Sequence, residues 1–287
     1  MGELETIIGM PGKQRVIAAA CGTTLIGERI NPTNRRSFSA ELEQGCLDTV
    51  AQEALRQQEA GAHVLDVNVG AAGADEVKLL PQAVRAVMDV VDVPVCLDSA
   101  NREALRAALR VYPGKALVNS VNGEEHSLRS LLPVVANHGA AVIGLTMDDN
   151  GIPPDVDGRV RIAAKIVREA EACGIPAHDV VIDPLTMAVA TDSQTGAVTL
   201  QAVARIRAEL GVNVVLGASN VSFGLPERVV LNAAFLAMAV YAGMTAAITD
   251  VTNQALKKAV LAADVLVGRD DFSQRYIAAY RADQSSS

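Results

Sequence analysis

Acidic and amide side chains follow the apolar segments of this chain, and they are the residues best suited to chemistry. They stand at or just beyond the end of each apolar run: Glu28, Arg29, Asn31, Asp66, Asn68, Asp98, Asn119, Met147, Asp148, Asp183, Ser219, Asn220 and Asp250. Carboxylate and amide oxygens accept hydrogen bonds, and one carboxylate can accept two from an amidine-like N–H/NH₂ edge. The set therefore suits a neutral heterocycle rich in N–H groups, such as a pterin or guanine.

Positive charge is scarce in this set, because Arg29 is its only cation. Phosphate sites use Lys, Arg or glycine-rich helix starts. The chain also lacks a G-x-S-x-G elbow and a GxGxxG following a strand. We therefore expect neither a phosphate or dinucleotide site nor serine-hydrolase chemistry.

Each acid also has a structural alternative. Asp66 and Asp98 are both placed to cap a helix or tie a loop, and Asp250 is placed to cap a last helix near Asn253. Acid clusters also bind Mg²⁺ or Ca²⁺. No close carboxylate spacing requires a metal, so we predict none.

The four histidines are interpreted as structural or solvated. Most of them fall at helix ends or strand beginnings, the wrong end for catalysis, and His126 is the exception; the set is His63, His126, His138 and His178.

The elements that must position the polar residues recur as a helix-like stretch, a glycine and an apolar strand. Five such units contain Gly61, Gly139, Gly174, Gly211 and Gly243. A glycine just past a helix end tolerates the left-handed conformation that closes the last turn, and an apolar run buried on both faces is typical of a parallel strand. The repetition predicts an α/β fold, a (β/α)8 TIM barrel, whose strand ends meet at one mouth.

Eight strands and intervening helices are expected. The strands lie near Thr24–Arg29, Val64–Val69, Val93–Asp98, Ala116–Ser120, Ala141–Met147, Val180–Asp183, Asn213–Gly217 and Ala246–Asp250. Leu42, Cys46, Val50 and Ala54 recur every fourth residue and predict an amphipathic first helix. Pro226 is expected at the first position of a helix ending near Ala242.

The length of 287 residues fits one barrel domain, which needs about 250 residues. We predict an N-terminal extension over residues 1–20, forming a lid or a strand beneath the barrel. The barrel is expected over residues 21–268. A C-terminal helix and a disordered tail at Ser285–Ser287 are expected over residues 269–287.

Composition narrows the class of protein. Half of the residues are hydrophobic but only 3% are aromatic, which predicts a core of Val, Leu, Ile and Ala. A net charge of −8 argues against nonspecific nucleic-acid binding. The four cysteines lack a CxxC spacing, which favours a reducing cytoplasm, with Cys96 and Cys173 as buried apolar residues.

No signal peptide or membrane span is expected. The N-terminus lacks a basic segment followed by a long apolar one. Val229–Ile248 carries no charge and is about long enough to cross a bilayer, but Gly243 divides it into a buried helix and a strand.

At eight places, in order, the sequence resembles the methyltetrahydrofolate–corrinoid protein methyltransferases. The matching segments are Ile26–Asn31, Leu65–Gly70, Cys96–Ser99, Val118–Ser120, Ile143–Met147, Val181–Leu185, Leu216–Ser222 and Asn232–Met238. The resemblance implies a pterin-binding TIM barrel that moves a methyl group between N5 of tetrahydrofolate and the cobalt of a separate corrinoid protein. It also implies a homodimer and a place in acetogenesis or in O-demethylation of methoxylated compounds.

The resemblance assigns four residues to the pterin ring. Asp98, Asn119 and Asp183 are expected to hydrogen-bond the ring, and Asp66 to support its edge. At the other end of the site, Gly217 and Ser219 are expected to line the pocket. Asn220 is expected to lie near N5 and serve the transfer step, and Arg228 matches an arginine near the same mouth.

Two rival functions remain open. Ile30–Phe38 resembles the first loop of dihydropteroate synthase, but that synthase has a basic residue where Asn220 stands and an Arg-x-His where Thr249-Asp-Val251 stands. Without those cations a pyrophosphate leaving group would lack charge stabilisation. The second rival is a non-catalytic folate-binding subunit. Cobalamin-dependent methionine synthases carry a similar barrel, but within a far longer chain.

Overall fold

Eight parallel strands close into a barrel in the computed structural model, which describes residues 4–285. The strands are β3 (Thr24–Ile30), β4 (Val64–Val67), β5 (Val95–Asp98), β6 (Leu117–Asn122), β7 (Ala141–Leu145), β8 (Val180–Asp183), β9 (Asn213–Gly217) and β10 (Ala246–Thr249), numbered after two earlier strands, β1 (Thr6–Met10) and β2 (Lys13–Ile17), that lie outside the barrel sheet. Around the barrel the order is β10-β3-β4-β5-β6-β7-β8-β9, all parallel. The predicted TIM barrel is confirmed.

Helices follow the strands on the outside. They are α1 (Arg36–Glu43), α2 (Asp48–Glu59), α3 (Glu76–Val90), α4 (Arg102–Val111), α5 (Glu125–Asn137), α6 (Val156–Ala172), α7 (Thr195–Leu210), α8 (Arg228–Ala242), α9 (Gln254–Leu266) and α10 (Gln274–Ser285). Side-chain oxygens of Asp75, Asn101, Asp155 and Asn253 accept hydrogen bonds from first-turn amides of α3, α4, α6 and α9. All five glycines of the predicted repeat have positive φ angles, from 59° to 113°.

The predicted first helix is wrong in one respect, because it is two helices. Gly45 lies between α1 and α2 with φ 73°, and this left-handed residue ends the first helix. Leu42, Val50 and Ala54 are nevertheless fully buried. The four-residue period therefore reflects burial, which continues from the first helix to the second.

Two smaller predictions are also wrong. Pro226 is not the first helical residue, because Glu227 adopts φ 48° and α8 begins at Arg228. Cys173 is exposed, since it caps the solvent-facing end of α6, whereas Cys96 is buried as expected.

A hairpin closes the N-terminal end of the barrel. It consists of β1 (Thr6–Met10) and β2 (Lys13–Ile17), and its Ile8 and Ile17 are fully buried within the barrel-interior cluster. At the start of β9, the Asn213 side-chain amide donates to the carbonyl oxygens of Leu4 (3.1 Å) and Ile17 (2.7 Å). The residue 1–20 extension therefore includes strands beneath the barrel, and the hairpin leaves the opposite mouth uncovered.

The C-terminal helix α10 returns to the same lower end. Arg275 donates to the carbonyl oxygen of Cys21 at 2.6 Å, just before β3. The tail expected to be disordered begins one residue too early, because Ser285 is the last residue of α10, and Ser286 and Ser287 lie outside the described residues. Val229–Ile248 forms most of α8 and the first part of β10, as predicted, and within residues 4–285 no helix has the length and apolar character that a membrane crossing needs.

Candidate active site

A cavity of about 620 Å³ occupies the mouth formed by the carboxyl ends of the strands. All eight residues assigned through the family resemblance line it: Asp66, Asp98, Asn119, Asp183, Gly217, Ser219, Asn220 and Arg228. They come from β4, β5, β6, β8 and β9, from the turn that follows β9 and from the start of α8. Parallel pairing places the carboxyl ends of these strands at one mouth, which explains why residues so far apart in sequence meet.

Asp66, Asp98 and Asn119 form an acid wall on three adjacent strands. Asn119 lies beside Asp98 in the β5–β6 register and donates its amide to Asp66 Oδ1 at 3.2 Å. Asn68 donates to Asp98 Oδ2 at 2.9 Å from behind the wall. The wall thus presents one amide and two carboxyls to the cavity.

The two carboxyls of the wall both bind a proton more readily than an exposed aspartate. Burial raises the pKa of Asp66 well above its ordinary value, and the neighbouring Asp98 raises it further. Burial also raises the pKa of Asp98, but hydrogen bonds from Asn68 and Asp66 oppose that rise. These hydrogen bonds favour the charged form of Asp98, the form that accepts from ligand N–H groups.

Asp183 ends β8 and faces the cavity while only 7% exposed. Burial raises its pKa to about 6, although the backbone amides of Leu185 and Gly217 donate to it and Arg159 lies nearby. The Leu185 amide lies 2.7 Å from Asp183 Oδ1. Near neutral pH Asp183 is therefore mainly a carboxylate, in an environment that makes protonation easy.

The buried Arg159 holds the loop that follows Asp183. Its Nη1 donates to the carbonyl oxygens of Pro184 (3.1 Å) and Leu185 (2.9 Å) and to Thr199 Oγ1 (2.9 Å). A cation from α6 therefore fixes the backbone that hydrogen-bonds Asp183.

Asn220 lies in a short 3₁₀ turn, Ala218–Ser222, directly after β9. It is exposed, and its side chain has no hydrogen-bond partner among residues 4–285. Arg228 supports the turn by donating to the Ser219 carbonyl oxygen (2.7 Å) and to Ser222 Oγ (3.0 Å). The Asn220 amide is therefore free to donate to or accept from a ligand.

Several strand-end residues do not serve the cavity. Asn68, Met147 and Asp148 do not line it. Asp250 does line it, while its Oδ1 accepts from the amide and hydroxyl of Thr252. Asn253, and not Asp250, caps the last barrel helix.

The expected scarcity of positive charge is corrected by the structure. Arg29, Arg35 and Arg228 all line the cavity. Arg35 is held by Glu53 Oε1 at 2.7 Å and by the carbonyl oxygen of Arg29, so the turn after β3 brings this cation to the mouth. Sequence position alone did not reveal this, because Arg35 is five residues beyond the end of β3.

Asn232 is a cavity residue to which no role had been assigned. It lies on α8, is 6% exposed, and its Oδ1 has no hydrogen-bond partner in the described part of the chain. A buried amide oxygen without a partner costs free energy unless a ligand donor satisfies it. The Asn232–Met238 segment contains this residue, but helix position gave no signal that it faces the mouth.

The histidines have no place in the main cavity. His63 Nδ1 accepts from the Leu25 amide at 3.0 Å, and burial lowers its pKa to about 3. His126 lines a neighbouring hollow of about 410 Å³ that shares Asp98 and Asn119 with the cavity. Within residues 4–285, no group of three or more His, Cys, Asp or Glu side chains is arranged to hold a metal ion.

Comparison with known sequences places this geometry in a family. The pterin binding enzyme family model matches residues 27–250. The chain is 31% identical to a methylcorrinoid:tetrahydrofolate methyltransferase of Eubacterium limosum, over 90% of this chain and 96% of that protein. It is 33% identical to a methionine synthase of Mycobacterium tuberculosis, over 78% of this chain but only 20% of that protein.

Solved structures show the same fold. A dihydropteroate synthase of Xanthomonas albilineans with 4-aminobenzoic acid gives a TM-score of 0.69 at 22% identity, covering 91% of this chain and 98% of that one. A Yersinia pestis dihydropteroate synthase gives 0.68 at 18% identity, covering 87% and 94%. At these identities the likeness concerns the fold alone. The family match and the relative of nearly equal length are decisive, and the chain belongs to the pterin-binding enzyme family.

Proposed function

We propose that this protein is a methyltransferase that moves a methyl group between N5 of tetrahydrofolate and the cobalt of a corrinoid carried by a separate protein. One observation carries the proposal. The acceptors Asp98, Asn119 and Asp183 converge on a cavity that also holds a free amide, Asn220, at its exposed edge.

Asp98 and Asp183 would hold the pterin by its N–H edge. Carboxylates accept hydrogen bonds from ring N–H and amino groups, and charge-assisted bonds of this kind are the stronger ones. The Asn119 amide can both donate and accept, which suits a ring carrying both kinds of group. Asp66 would support this edge from behind, because it accepts a hydrogen bond from Asn119.

Asn220 would serve the N5 end of the ring. Tetrahydrofolate leaves a methyl group poorly unless N5 gains a proton or a strong hydrogen bond. An amide that can rotate to donate or accept follows the change in protonation of N5, and nearby acids favour a cationic N5. Rigid placement of the pterin would remove orientational entropy worth several kcal/mol.

The corrinoid is a substrate that must reach N5 from outside. The exposure of Asn220 allows this approach. Phe223 and Val230 stand near the same turn and are 62% and 63% exposed, so an apolar rim is available to a docking protein. The cellular direction of transfer, in acetogenesis or in demethylation, belongs to the same proposal and follows from the partner present.

A dihydropteroate synthase-like reaction is the second candidate, and the three arginines at the mouth are the observation that favours it. Arg35 and Arg228, however, already donate to protein oxygens. Mixing the protein with dihydropterin pyrophosphate and p-aminobenzoate decides the point, since product formation would favour the synthase. A non-catalytic folate-binding subunit would bind folate and show no turnover in either assay.

The proposal is tested with Asn220→Ala. We expect the single-turnover transfer from methyltetrahydrofolate to reduced cobalamin to slow by roughly 10²-fold, about 2.7 kcal/mol, because an interaction made mainly in the transition state is lost. The affinity for folate should change little. Asp149→Asn, an exposed residue of the loop after β7, is the matched control. A wild-type protein that binds folate but never transfers methyl would reject the methyltransferase assignment, and an unchanged variant would remove Asn220 from it.

We also propose a homodimer assembled through α7 and α8. Met238 and Tyr241 are 56% and 84% exposed on α8. They border a groove of about 500 Å³ that includes Leu200 and Ala204 of α7. The surface carries both an exposed aromatic side chain, Tyr241, and an apolar groove. In two copies related by a twofold axis, the tyrosine of each copy can therefore occupy the groove of the other.

The charge of the chain also supports a second copy of the chain as the partner at this surface. Residues 229–242 of α8 carry no charged side chain, whereas the chain as a whole has a net charge of −8. Two copies that meet at an uncharged face avoid much of their mutual repulsion. A cytoplasmic location completes the proposal, because all four cysteines are free thiols.

A further inference from the structure

Glu28 is a carboxyl of the cavity that the proposed pterin contacts leave unused. It lies on β3, is partly buried, and accepts a hydrogen bond from Ser219 Oγ at 2.8 Å. Three other carboxyls of the cavity are held by amides: Asp66 by Asn119, Asp98 by Asn68 and Asp183 by the Leu185 amide. Asp250 accepts from the amide and hydroxyl of Thr252, which does not line the cavity. Glu28 is instead joined to the hydroxyl of Ser219, which does line the cavity, and a hydroxyl can both receive and pass on a proton.

The position of this hydrogen bond is set by the strand order. Because β10 lies between β9 and β3, the contact from Glu28 to Ser219 crosses above the end of β10. Ser219 precedes Asn220 in the same 3₁₀ turn. The acid wall instead comes from β4, β5 and β6. Glu28 therefore belongs to the Asn220 end of the cavity.

Three charged groups act on Glu28. Asp250 faces it from the loop after β10, Arg228 from α8, and Arg29 from its own strand. In the turn after β3, Arg35 donates to the Arg29 carbonyl oxygen and pairs with Glu53 of α2. Burial raises the pKa of Glu28 and Asp250 raises it further, whereas the Ser219 hydrogen bond and the two nearest arginines oppose the rise. The carboxyl is therefore easier to protonate than an ordinary glutamate.

We propose that Glu28 stores the proton that N5 gains or loses during methyl transfer and exchanges it through the Ser219 hydroxyl. The inference rests on the proposed function. Since Glu28 acts through Ser219, it is a positioning residue of the proton path and not a group in contact with the reacting atoms.

The step balances in both directions. When the reduced corrinoid accepts the methyl group, cobalt supplies the electron pair of the new cobalt–carbon bond and the pair of the broken N5–carbon bond stays on N5. N5 takes the Ser219 hydroxyl proton, Ser219 takes the proton of Glu28, and solvent reprotonates the resulting carboxylate. In the reverse direction the N5 hydrogen leaves by the same path to ionised Glu28.

This path predicts opposite pH dependences for the two directions. Transfer from methyltetrahydrofolate needs protonated Glu28, so its rate falls as pH rises through the pKa of this residue. Transfer to tetrahydrofolate needs the carboxylate, so its rate increases over the same range.

The test compares wild type, E28Q and S219A, with D149N as the control for loss of a mouth carboxyl outside the cavity. Single-turnover transfer between methyltetrahydrofolate and reduced cobalamin is measured in both directions across pH, alongside folate affinity. In E28Q we expect the transfer rate to fall roughly 10²-fold and to depend much less on pH. The folate affinity should stay within about twofold of wild type. S219A should lose the same pH dependence of the transfer rate, and D149N should match wild type.

A second readout does not depend on turnover. The infrared difference spectrum between wild type and E28Q should contain a protonated-carboxyl band at mildly acidic pH that vanishes as pH rises. Its absence at every pH overturns the proton store.

The remaining outcomes separate the two proposals. If wild type transfers methyl and E28Q retains the wild-type pH dependence of the rate, the proton path is wrong and the proposed methyltransferase function is kept. A rate loss in E28Q explained by weaker folate binding also overturns the path. Should E28Q fail to fold, an unchanged pH dependence of the rate in S219A overturns the proton path instead. A wild type that transfers no methyl removes both proposals.

Discussion

At the scale of single residues, the site is built on carboxyl groups that differ in how readily they take up a proton. Burial raises the pKa of Asp66 well above its ordinary value, raises that of Asp98 against opposing hydrogen bonds, and brings that of Asp183 to about 6. The three carboxyls therefore need not all carry a full negative charge at once in a confined space. This division suits a ligand edge that donates several hydrogen bonds.

Asp183 predicts a pH dependence of folate binding. The ionised carboxylate is the acceptor, so affinity is full above about pH 7 and falls toward tenfold per unit as pH drops below about 6. Isothermal titration over this range measures it, with Asp183→Asn as the comparison, expected to bind weakly with a reduced pH dependence. A variant that retains both the wild-type affinity and its slope would assign the titration to another group.

The effect of Asp183 on stability has the opposite sign. Its pKa is about 6 in the folded protein against 3.8 for an ordinary aspartate, so the folded state binds the proton more tightly. The stabilisation from this group is complete below about pH 4 and is lost as pH rises through 6. Folate binding and the stability of the free protein therefore place opposite demands on the same carboxyl.

Asn232 makes a similar compromise. In Asn232→Leu we expect the free energy of unfolding to rise by about 1 kcal/mol, because the unpaired buried oxygen is removed, while the folate dissociation constant rises about tenfold. Urea denaturation and equilibrium titration measure the two effects. Thr249→Val is the control, since Thr249 Oγ1 is also buried without a partner among the described residues but does not line the cavity. It should gain stability and bind folate normally.

At the scale of elements, the barrel separates stability from chemistry. The hairpin β1–β2 closes the lower end with Ile8 and Ile17, while the end of β8 with Asp183 and the turn with Asn220 lie at the opposite mouth. The loop after β9 is tied to α8 by Arg228, so this helix positions the turn that holds Asn220.

The hairpin predicts a stability effect without a binding effect. Ile8→Ala should lower the free energy of unfolding by about 2–4 kcal/mol, because a fully buried side chain is removed from the barrel interior. Ile7→Ala, on the same strand but 39% exposed, should cost less than about 1 kcal/mol. Chemical denaturation compares them, and equal losses would contradict the proposed closure. Folate affinity should be unchanged in both.

At the scale of the whole molecule, the groove between α7 and α8 is lined without a charged side chain. The acidic chain presents an uncharged, apolar face on α7 and α8. Stable interfaces bury about 800 Å² from each partner and favour aromatic and Met residues at their centre, which matches Tyr241 and Met238.

Tyr241→Asp should therefore shift the protein from dimer to monomer, because the substitution places a charge at the centre of the proposed interface. Light scattering coupled to size-exclusion chromatography measures the mass. Tyr280→Asp, which changes an exposed tyrosine of α10, is the control and should leave the dimer intact. A monomeric wild type, or dissociation by the control alone, would move or remove the interface.

The sequence by itself determined the barrel and its polar strand ends. Helix-ending glycines and doubly buried apolar runs are local signals, so Gly61 and Gly211 identified their units without knowledge of any contact. Asp98 and Asp183 could be named because each ends such a run, and parallel pairing brings all such ends together. The family resemblance then selected among them.

Only the tertiary structure decided which side chains are in contact and how burial shifts their pKa values. The hydrophobic period of the sequence did not reveal the helix break at Gly45, because the buried positions continue across it. Arg35 reaches the mouth through a turn, and hydrophobic periodicity does not predict the course of a turn. Glu28 meets Ser219 because closure of the barrel places β3 and β9 on either side of β10. Such contacts depend on distances between residues far apart in the chain, and burial sets their pKa values, so local patterns carry no information about them.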